Sequence, residues 1–267
     1  MKISCIIPTC NRPIFLEEAL CSIINQTLPA HEIIIINNGT DPVILREDQK
    51  HKAIVHNIIP FSGVAQARNF GACLATGDYL AFLDDDDLWN EDYLKNITKR
   101  LKEKPDEIFI SRLDKIVDGK ITPHRNLNPN FTLHDLFIHN PGITGSNVVI
   151  SKKTFFSLRG FDPKLPPSED KSLIIEALQK NIPIHILPHN QSILRIHNNY
   201  RLTDPARMAE GIFQFIHKYS KLMNRRECLY NWKKMYRYRY KTGKKIAAIP
   251  YFTISLSLVI LNLFSKT

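Results

Sequence analysis

The sequence predicts an α/β protein in which helices cover both faces of a mostly parallel sheet. Short runs of β-branched residues, too short for helices, alternate along the chain with longer segments that have one apolar face. Parallel strands need helical connections, and strands buried on both faces are apolar throughout, so both observations favour this class. The length of 267 residues suits one large domain with an extension.

The first strand is predicted over residues 2–8, an apolar run that stops at Pro8. A helix is predicted from Pro13, because proline suits a first helical turn and the apolar residues that follow share one face. The β-branched run at residues 32–36 predicts a second strand, which stops at the Asn-Asn-Gly of residues 37–39.

The same alternation continues through the first half of the chain. Strands are predicted at residues 53–60, 78–83 and 107–112, and helices at residues 64–75 and 91–104. Ligands of such sheets bind beyond the carboxyl ends of the strands. We therefore expect the functional residues of this half at the positions where its strands stop.

The second half of the body has a less regular pattern. Residues 114–122 predict a hairpin that turns at Asp118-Gly119, and residues 142–150 predict a strand. Ser168 is placed to cap a helix at residues 171–179, and the acidic residues after it suit the first turn of that helix.

Four consecutive aspartates, Asp84 to Asp87, follow the fourth predicted strand. Carboxylates so close together repel one another, so their position at a strand end favours a bound divalent cation or cationic ligand. Pro8-Thr9 and Asn37-Asn38 also stand at strand ends, and a parallel sheet would bring all three segments to one edge. Asp87 has a second interpretation, as the cap of the next helix. The sequence contains no glycine-rich phosphate loop.

Charge is distributed unevenly along the chain. The net charge is +10, and residues 225–267 contain ten Lys or Arg against one acidic residue, Glu227, which accounts for +9 and leaves +1 for the rest. Tyr and Trp are interleaved with the basic residues of this segment. That composition suits the headgroup layer of an anionic membrane, and nucleic acid is the alternative partner.

An uncharged stretch at residues 246–264 follows the basic segment and is rich in Ile, Leu and Phe. It is just long enough to span a membrane, and it could equally lie within one leaflet; a core helix or a dimer-forming helix is the soluble alternative. Residues 202–222 predict a helix before it. We therefore predict a helical membrane-associating tail, with a basic-aromatic extension at residues 201–245 and an anchor or transmembrane helix at residues 246–264.

Five motifs occur in order within residues 2–200. They are Ile6-Ile7-Pro8-Thr9-Cys10-Asn11-Arg12-Pro13, Glu-Ile-Ile-Ile-Ile-Asn-Asn-Gly-Thr at residues 32–40, Gly63-Val64-Ala65-Gln66-Ala67-Arg68-Asn69-Phe70-Gly71, Gly77-Asp78-Tyr79-Leu80-Ala81-Phe82-Leu83 with the four aspartates, and Gly160-Phe161-Asp162 with Glu169-Asp170. The ordered set resembles the family 2 glycosyltransferases of GT-A (Rossmann-like) fold that build bacterial surface glycans. The resemblance implies a GT-A domain at residues 1–200, with a nucleotide half at residues 1–112 and an acceptor half at residues 113–200.

The resemblance implies a nucleotide-sugar donor, with a UDP-sugar favoured, a divalent cofactor, Mg²⁺ or Mn²⁺, and inversion at the anomeric carbon. The metal would stabilise the leaving diphosphate, and a base would take the proton of the attacking acceptor hydroxyl. The family's strand-end motif maps the metal to Asp86 with Asp84 as its partner, and the ribose to Asp85. Asp170 is the candidate base, and Asp162 is a weaker candidate for that role.

The resemblance also implies two groups of binding residues. On the nucleotide-sugar side these are Pro8, Thr9, Asn11, Arg12, Asn38, Arg68, Asn69 and Asp85. On the acceptor side they are Trp89, Gly145, Ser146, Asn147 and Glu169. Three of these predictions have an ordinary structural alternative: Arg68 as a helix-surface arginine, Glu169 as a first-turn acid, and Gly145-Ser146-Asn147 as part of an ordinary strand.

Two positions depart from the family's pattern. Cys10 stands where many members have an aromatic residue, and Asn37-Asn38 stand where many have two aspartates, the second of which often binds the base. An asparagine amide both donates and accepts hydrogen bonds, so it could bind a uracil imide or a different base edge. The donor nucleotide and its sugar therefore stay open.

Together these features predict a metal-dependent glycosyltransferase on the cytoplasmic face of the inner (plasma) membrane. The five scattered cysteines, without a CxxC pair or a preceding signal peptide, fit a reduced cytoplasmic setting. The expected acceptor is a glycan or lipid-linked glycan of capsule, lipopolysaccharide or related polysaccharide synthesis, and no nucleic acid partner is expected. The alternatives are an inactive GT-A membrane scaffold and a nucleotidyltransferase, which would leave Glu169-Asp170 unexplained.

Overall fold

The computed structural model describes residues 1–105, 107–124, 128–196, 204–243 and 245–264. Within these residues the chain forms nine strands, which all belong to one sheet. The strands are β1 (Ile3–Thr9), β2 (Glu32–Asn37), β3 (Ala53–Asn57), β4 (Tyr79–Phe82), β5 (Leu88–Trp89), β6 (Ile108–Val117), β7 (Lys120–Pro123), β8 (Val148–Ser151) and β9 (Ile184–Arg195).

Helices connect most of these strands and form the C-terminal part of the chain. They are α1 (Pro13–Ile24), α2 (Glu47–Lys50), α3 (Val64–Leu74), α4 (Tyr93–Glu103), α5 (Leu133–Ile138), α6 (Lys152–Ser157), α7 (Glu169–Gln179), α8 (Pro205–Tyr219), α9 (Arg225–Lys241) and α10 (Ala248–Phe264). Short 3₁₀ helices precede β8 and α10.

The sheet is parallel on one side and mixed on the other. Its order is β3-β2-β1-β4-β8-β6-β9-β5, with β7 paired to β6. Strands β3, β2, β1 and β4 run parallel, whereas β8 lies antiparallel between β4 and β6. Strand β9 is parallel to β6, and β5 is antiparallel to β9. The predicted α/β class with a mostly parallel sheet is confirmed.

Both faces of the sheet are covered, as the continuous apolar strands predicted. Alternate residues of β1 enter different apolar clusters, because successive strand side chains point to opposite faces. Cys5 and Ile7 pack in one cluster with α1 and α4, and Ile6 packs in the other with α3 and α7. All three β1 side chains are fully buried.

The segment after residue 142 differs from its prediction as one strand. Residues Gly145–Asn147 form a 3₁₀ turn, and β8 begins only at Val148. The turn is stabilised by side-chain bonds that compete with strand pairing: Thr144 N donates to Asn147 Oδ1 at 2.9 Å, and Ser146 N donates to Thr144 Oγ1 at 3.2 Å.

The hairpin predicted through Asp118-Gly119 is confirmed, because β6 and β7 pair across these two residues. Both have positive φ, 48° and 77°, as a tight two-residue turn requires. Strand β6 continues without a break to Val117, so the strand predicted at residues 107–112 and the first arm of the predicted hairpin form one strand. Pairing with β7 and β9 beyond residue 112 explains this continuity.

Several helix ends differ from the predictions. Helix α7 begins at Glu169, with Ser168 at the N-cap position and both acids in the first turn as predicted, but Ser168 makes no capping side-chain bond. Asp87 is not a helix cap, because α4 begins at Tyr93 with Asp92 at its N-cap. The helix predicted at residues 202–222 is α8, which starts at Pro205; residues 202 and 203 lie outside the described residues.

The C-terminal extension consists of α8, α9 and α10, and α9 packs against the two others. The predicted boundary at residue 200 falls within residues 197–203, outside the described part of the chain. Among the residues that the structure describes, no helix has both the length and the apolarity needed to cross a membrane.

Candidate active site

A cavity of about 450 Å³ lies at the carboxyl ends of the parallel strands. Its lining includes Pro8 and Thr9 of β1, Asn38 after β2, and all four aspartates after β4. Asn38 N donates to Thr9 O at 2.8 Å, which joins the first two strand ends directly. The predicted convergence of the three strand-end segments on one edge of the sheet is therefore observed.

Arg68 links the two halves of this cavity. It lies on α3, is only 2% exposed, and donates from one terminal nitrogen to Glu169 Oε1 at 3.0 Å and from the other to Asp84 Oδ1. Burial alone would lower the pKa of Arg68, but Asp84 and Glu169 outweigh it and raise that pKa above its ordinary value. The guanidinium is therefore charged and fixed between the strand-end acids and α7.

Gly145 provides the space that Arg68 occupies. A Cβ at this position would lie 2.2 Å from an Arg68 terminal nitrogen, closer than any real contact permits. The 3₁₀ turn that contains Gly145 therefore packs against the guanidinium. Arg68 Nε and Glu169 Oε2 are buried and have no hydrogen-bond partner among the described residues, so a bound ligand or water would satisfy them.

Asp85 and Asp86 share one arginine from the start of α1. Arg12 donates from a single terminal nitrogen to Asp85 Oδ1 at 3.0 Å and to Asp86 Oδ2 at 2.8 Å. Asp85 also accepts from Thr9 Oγ1 at 2.8 Å. Burial raises the pKa of Asp85 to about 7, although Arg12 opposes the shift. Arg12 thus offsets part of the repulsion that the aspartate cluster creates.

Asp87 supports the aspartate turn from within the protein. Its carboxylate accepts from Ser146 Oγ at 2.6 Å and from Arg195 N at 3.0 Å. Burial, and then the charges of Asp86 and Asp84, raise the pKa of Asp87 well above its ordinary value. Ser146 Oγ also accepts from Asp84 N at 3.1 Å, so one hydroxyl holds both ends of the four-aspartate turn.

Asp170 is a half-buried carboxylate on the wall of the same cavity. It stands in the first turn of α7, next to Glu169, which is 4% exposed. Desolvation by the surrounding protein, followed by the charge of Glu169, raises the pKa of Asp170 to about 8. A carboxylate with a pKa near the operating pH can accept a proton from a substrate hydroxyl and later release it.

The cavity therefore contains many of the residues that the sequence singled out. Those that line it are Pro8, Thr9, Arg12, Asn38, Arg68, Asp84, Asp85, Asp86, Gly145, Glu169 and Asp170.

Two residues predicted on the nucleotide-sugar side lie outside this lining. Asn11 has a positive φ of 55°, and its Oδ1 accepts from Thr40 N at 2.8 Å. Asn69 binds the Phe161 backbone in both directions, donating to its carbonyl at 2.8 Å and accepting from its N–H at 2.9 Å. Both side chains thus fix loops that flank the cavity.

Three residues predicted on the acceptor side also lie beneath the cavity surface. Trp89 stacks on Tyr93 with a centroid separation of 4.2 Å and donates to Ser146 O at 2.7 Å. Asn147 is fully buried and donates to the Ser111 and Gly142 carbonyls at 2.7 and 2.8 Å. Ser146 is also fully buried. Their contacts hold the 3₁₀ turn against the sheet.

The cavity also includes residues that the sequence did not indicate. Arg195 ends β9 and donates from Nε to Asp86 O at 3.2 Å, while Arg207 comes from the first turn of α8. No motif surrounds these positions, and only the fold brings them to the cavity. Cys10, Gly63 and Val64 also line the cavity; they lie within the motifs but were not predicted as site residues. The other lining residues outside the predicted set are Phe61, Asn140, Ile143, Thr144, Pro167 and Leu194.

A divalent ion would fit this site only if a bound ligand supplied some of its coordinating atoms. No group of three or more His, Cys, Asp or Glu side chains that could hold a metal occurs among the described residues. Asp84 and Asp86 both line the cavity, with side chains 26% and 19% exposed. Mg²⁺ typically binds one or two carboxylates together with substrate phosphates, and these two carboxylates match that arrangement.

The family model described as glycosyl transferase family 2 matches residues 4–159. This chain therefore belongs to glycosyl transferase family 2. The match begins in β1 and extends past β8, so it includes Arg68 and the aspartate turn.

Curated relatives match only part of their own length. An uncharacterized glycosyltransferase of Haemophilus influenzae is 25% identical over 67% of this chain and 62% of its own. The minor teichoic acid biosynthesis protein GgaB of Bacillus subtilis is 36% identical over 48% of this chain and 15% of its own. The poly(ribitol-phosphate) beta-glucosyltransferase of Bacillus spizizenii is 28% identical over 51% of this chain and 23% of its own.

Solved structures of Staphylococcus aureus TarS share the fold. Residues 1–349 of TarS superpose with a TM-score of 0.64, at 18% identity, over 96% of this chain and 91% of that one. The TarS complex with UDP-GlcNAc has a TM-score of 0.67 at 17% identity, with the same coverage of both chains. The predicted GT-A fold is confirmed.

Replacing Asp170 with Asn should change how stability depends on pH. The pKa of Asp170 is about 8 in the folded protein and ~4 in the unfolded chain. Between these pH values the native state holds a proton that the unfolded state has lost, so the folded protein loses stability as the pH rises. Asp170→Asn should remove that loss and raise the Tm at pH 8 by on the order of 5 °C, measured by thermal denaturation from pH 5 to 8.5.

Asp162→Asn is the matched control. Burial alone would raise the pKa of Asp162. Hydrogen bonds from Lys164 N and Lys218 Nζ outweigh burial and lower the pKa of this carboxyl. Its stabilising contribution is present above the unfolded pKa and is lost in acid, so this variant should be less stable at neutral pH. Parallel pH profiles for wild type and Asp170→Asn would contradict the assigned environment of Asp170.

Proposed function

We propose that this glycosyltransferase moves a sugar, with inversion, from a nucleotide-sugar donor to a hydroxyl of a surface glycan. The strongest support is that one cavity contains both a pair of carboxylates suited to a metal and a separate carboxylate suited to a base. Asp84 and Asp86 offer carboxylates for a metal–diphosphate group, and Asp170 offers a carboxylate whose pKa of about 8 suits a base. A polypeptide that only bound glycans would not need a desolvated carboxylate beside an aspartate cluster.

A uridine nucleotide is the favoured donor carrier. The TarS complex with UDP-GlcNAc provides a precedent in the same fold. In this chain Asn38, Pro8 and Thr9 would surround the base, and Asp85 would bind the ribose. Asp85 is held toward the cavity by Thr9 and Arg12, which keeps one acceptor group in place for a sugar hydroxyl.

Mg²⁺ or Mn²⁺ would be held by Asp84 and Asp86, and when bound it would neutralise charge on the leaving diphosphate. Arg68 fixes the Asp84 carboxylate, and Arg12 fixes that of Asp86, so both ligands are oriented by charged hydrogen bonds. Arg195, whose Nε donates to the Asp86 carbonyl, would add a further positive charge near the diphosphate.

Asp170 would act as the base. The acceptor oxygen forms its bond to the anomeric carbon while the bond from that carbon to the diphosphate oxygen breaks. The diphosphate leaves with the electron pair, and the hydroxyl proton moves to an Asp170 oxygen. Attack on the face opposite the leaving group inverts the configuration. Glu169, fixed by Arg68, would orient the acceptor or the donor sugar through its second oxygen.

The acceptor is proposed to be a glycan, or a lipid-linked glycan, of a bacterial surface polysaccharide. Two relatives support this acceptor class, a minor teichoic acid biosynthesis protein and a poly(ribitol-phosphate) beta-glucosyltransferase. A lipid-linked acceptor would be presented at the cytoplasmic face of the plasma membrane, which is where we propose that the enzyme works. The body's near-neutral charge suits a sugar acceptor rather than nucleic acid.

The C-terminal extension supports association with that membrane in the plane of its surface. Ile249, Phe252 and Leu256 of α10 are 70%, 66% and 63% exposed, and their spacing places them on one face of the helix. The neighbouring helix α9 has a basic and aromatic composition. An exposed apolar face next to cationic side chains suits an anionic lipid surface.

Removing the base should abolish transfer without abolishing donor binding. Asp170→Asn should lower kcat by about 10²- to 10⁴-fold, the usual contribution of general-base catalysis, in a transfer assay with the identified donor. The Kd for the donor should change by less than about threefold, because Asp170 acts on the acceptor hydroxyl. Asp162→Asn should retain its kcat. Full transfer by Asp170→Asn would refute this assignment.

Donor binding should depend on a divalent metal through Asp86. Thermal denaturation with a panel of nucleotide sugars should give a rise in Tm for one donor that requires Mn²⁺ or Mg²⁺. Asp86→Ala should lose this metal-dependent rise, because one of the two ligands is gone. Asp48→Ala, at an exposed carboxylate in α2, is the control. A metal-independent shift of equal size would contradict the proposed metal role.

Vesicle binding should require the exposed face of α10. Replacing Ile249, Phe252 and Leu256 together with Asp should abolish sedimentation with vesicles that contain anionic lipid, because aspartates cannot be buried at the acyl boundary and are repelled by anionic headgroups. Ile44→Asp is a control for exposed apolar surface elsewhere, since Ile44 is 85% exposed. Undiminished vesicle binding by the triple variant, or binding to nucleic acid instead of lipid, would argue against membrane association.

A further inference from the structure

Phe61 is an exposed aromatic residue in an unfavourable backbone conformation. It lies in the loop between β3 and α3, is 67% exposed, and has a φ of 58°. A bulky side chain is seldom found in this left-handed region, and an aromatic ring normally gains free energy by burial. Strain of this kind concentrates at ligand sites, where the surrounding structure holds it in place.

Hydrogen bonds to the end of β2 hold Phe61 in this conformation. Phe61 N donates to Asn38 O at 2.7 Å, and Ser62 Oγ donates to Asn38 Oδ1 at 2.9 Å. Asn38 N in turn donates to Thr9 O. The loop is therefore tied to two strand ends, and the ring lines the cavity beside Asn38. The left-handed backbone is a fixed part of the site.

The chemistry of this end of the cavity differs from that of its other parts. The rest of the lining is rich in charged side chains, with the acids Asp84, Asp86 and Asp170 beside arginines such as Arg12 and Arg68, and it suits a metal, a diphosphate and an acceptor hydroxyl. The end at Phe61 offers instead the apolar surfaces of the ring and of Pro8. Asn38, whose carbonyl accepts from Phe61 N, lies at the same end, and its Nδ2 has no hydrogen-bond partner among the described residues. A flat aromatic group with a carbonyl on its edge complements these surfaces.

We propose that Phe61 stacks on the nucleobase of the donor and that Asn38 Nδ2 donates to a carbonyl on the edge of that base. The inference rests on the proposed nucleotide-sugar donor and deepens it. Phe61 would thereby set affinity for the nucleoside part of the donor, and the Asn38 donor would favour a base with an exocyclic carbonyl, such as uracil. Aromatic rings also stack on sugars, so an acceptor sugar is the rival occupant.

Calorimetric binding of UDP and of inorganic pyrophosphate to the full chain tests this assignment. Phe61→Ala should weaken UDP binding by about tenfold, the usual effect of losing one stacked base, and should leave pyrophosphate binding unchanged. Phe61→Trp should bind UDP as wild type does. Ile59→Ala is the control, because Ile59 is 79% exposed and lies two residues away, outside the cavity lining.

A second variant separates the effect of losing the ring from the effect of the strained backbone. Phe61→Gly suits a positive φ, so it should fold with a Tm at or above that of wild type, yet lose UDP affinity as Phe61→Ala does. Equal UDP affinity in wild type and both variants would overturn the stacking assignment while leaving the donor proposal intact. Raised KM for the acceptor alone would also overturn it, in favour of an acceptor sugar. Absence of nucleotide binding by wild type would overturn the donor proposal and this inference together.

Discussion

The buried ion pairs of Arg68 are the interactions on which the rest of the site depends. This guanidinium joins Asp84, at the end of a parallel strand, to Glu169, which starts α7 and follows Arg68 by 101 residues of sequence. A planar fork can bind two carboxylates in fixed directions, which a lysine cannot do. The strand-end acids and the helix with the candidate base therefore keep one relative orientation. Gly145 leaves the space that this geometry needs.

The acidic residues around the cavity lower the stability of the unliganded fold. Burial raises the pKa values of Asp85, Asp87 and Asp170, which means that the folded protein disfavours their charged forms near neutral pH. Arg12 offsets part of that cost, and the hydroxyl of Ser146 offsets another part. A ligand that brings positive charge into the cavity would relieve the remainder. The turn thus favours binding of a cation by the same repulsion that weakens the unliganded fold.

The sequence predicted the fold class and the acidic end of the cavity because both depend on local patterns. Apolar runs and the Asp84–Asp87 cluster can be recognised from neighbouring residues alone. Strand β9 was not predicted, since Pro188 and scattered polar residues interrupt its pattern and only pairing with β6 stabilises it. Asn69, Trp89 and Asn147 were predicted as ligand contacts, but their side chains bind backbone groups that hold the cavity walls. Which way a polar side chain points depends on tertiary packing, which local patterns do not determine.

The antiparallel strand β8 has a consequence for how the polypeptide can be divided. Although it comes from the second half of the sequence, it is inserted between β4 and β6, and it pairs with β4 through Leu80 and Ala81. A fragment that ended near residue 112 would keep the whole aspartate turn but would expose the edge of β4. An unpaired apolar edge strand recruits other chains and aggregates. The segments before and after residue 112 thus belong to one folding unit, and gene fusions or truncations that separate them should yield insoluble protein.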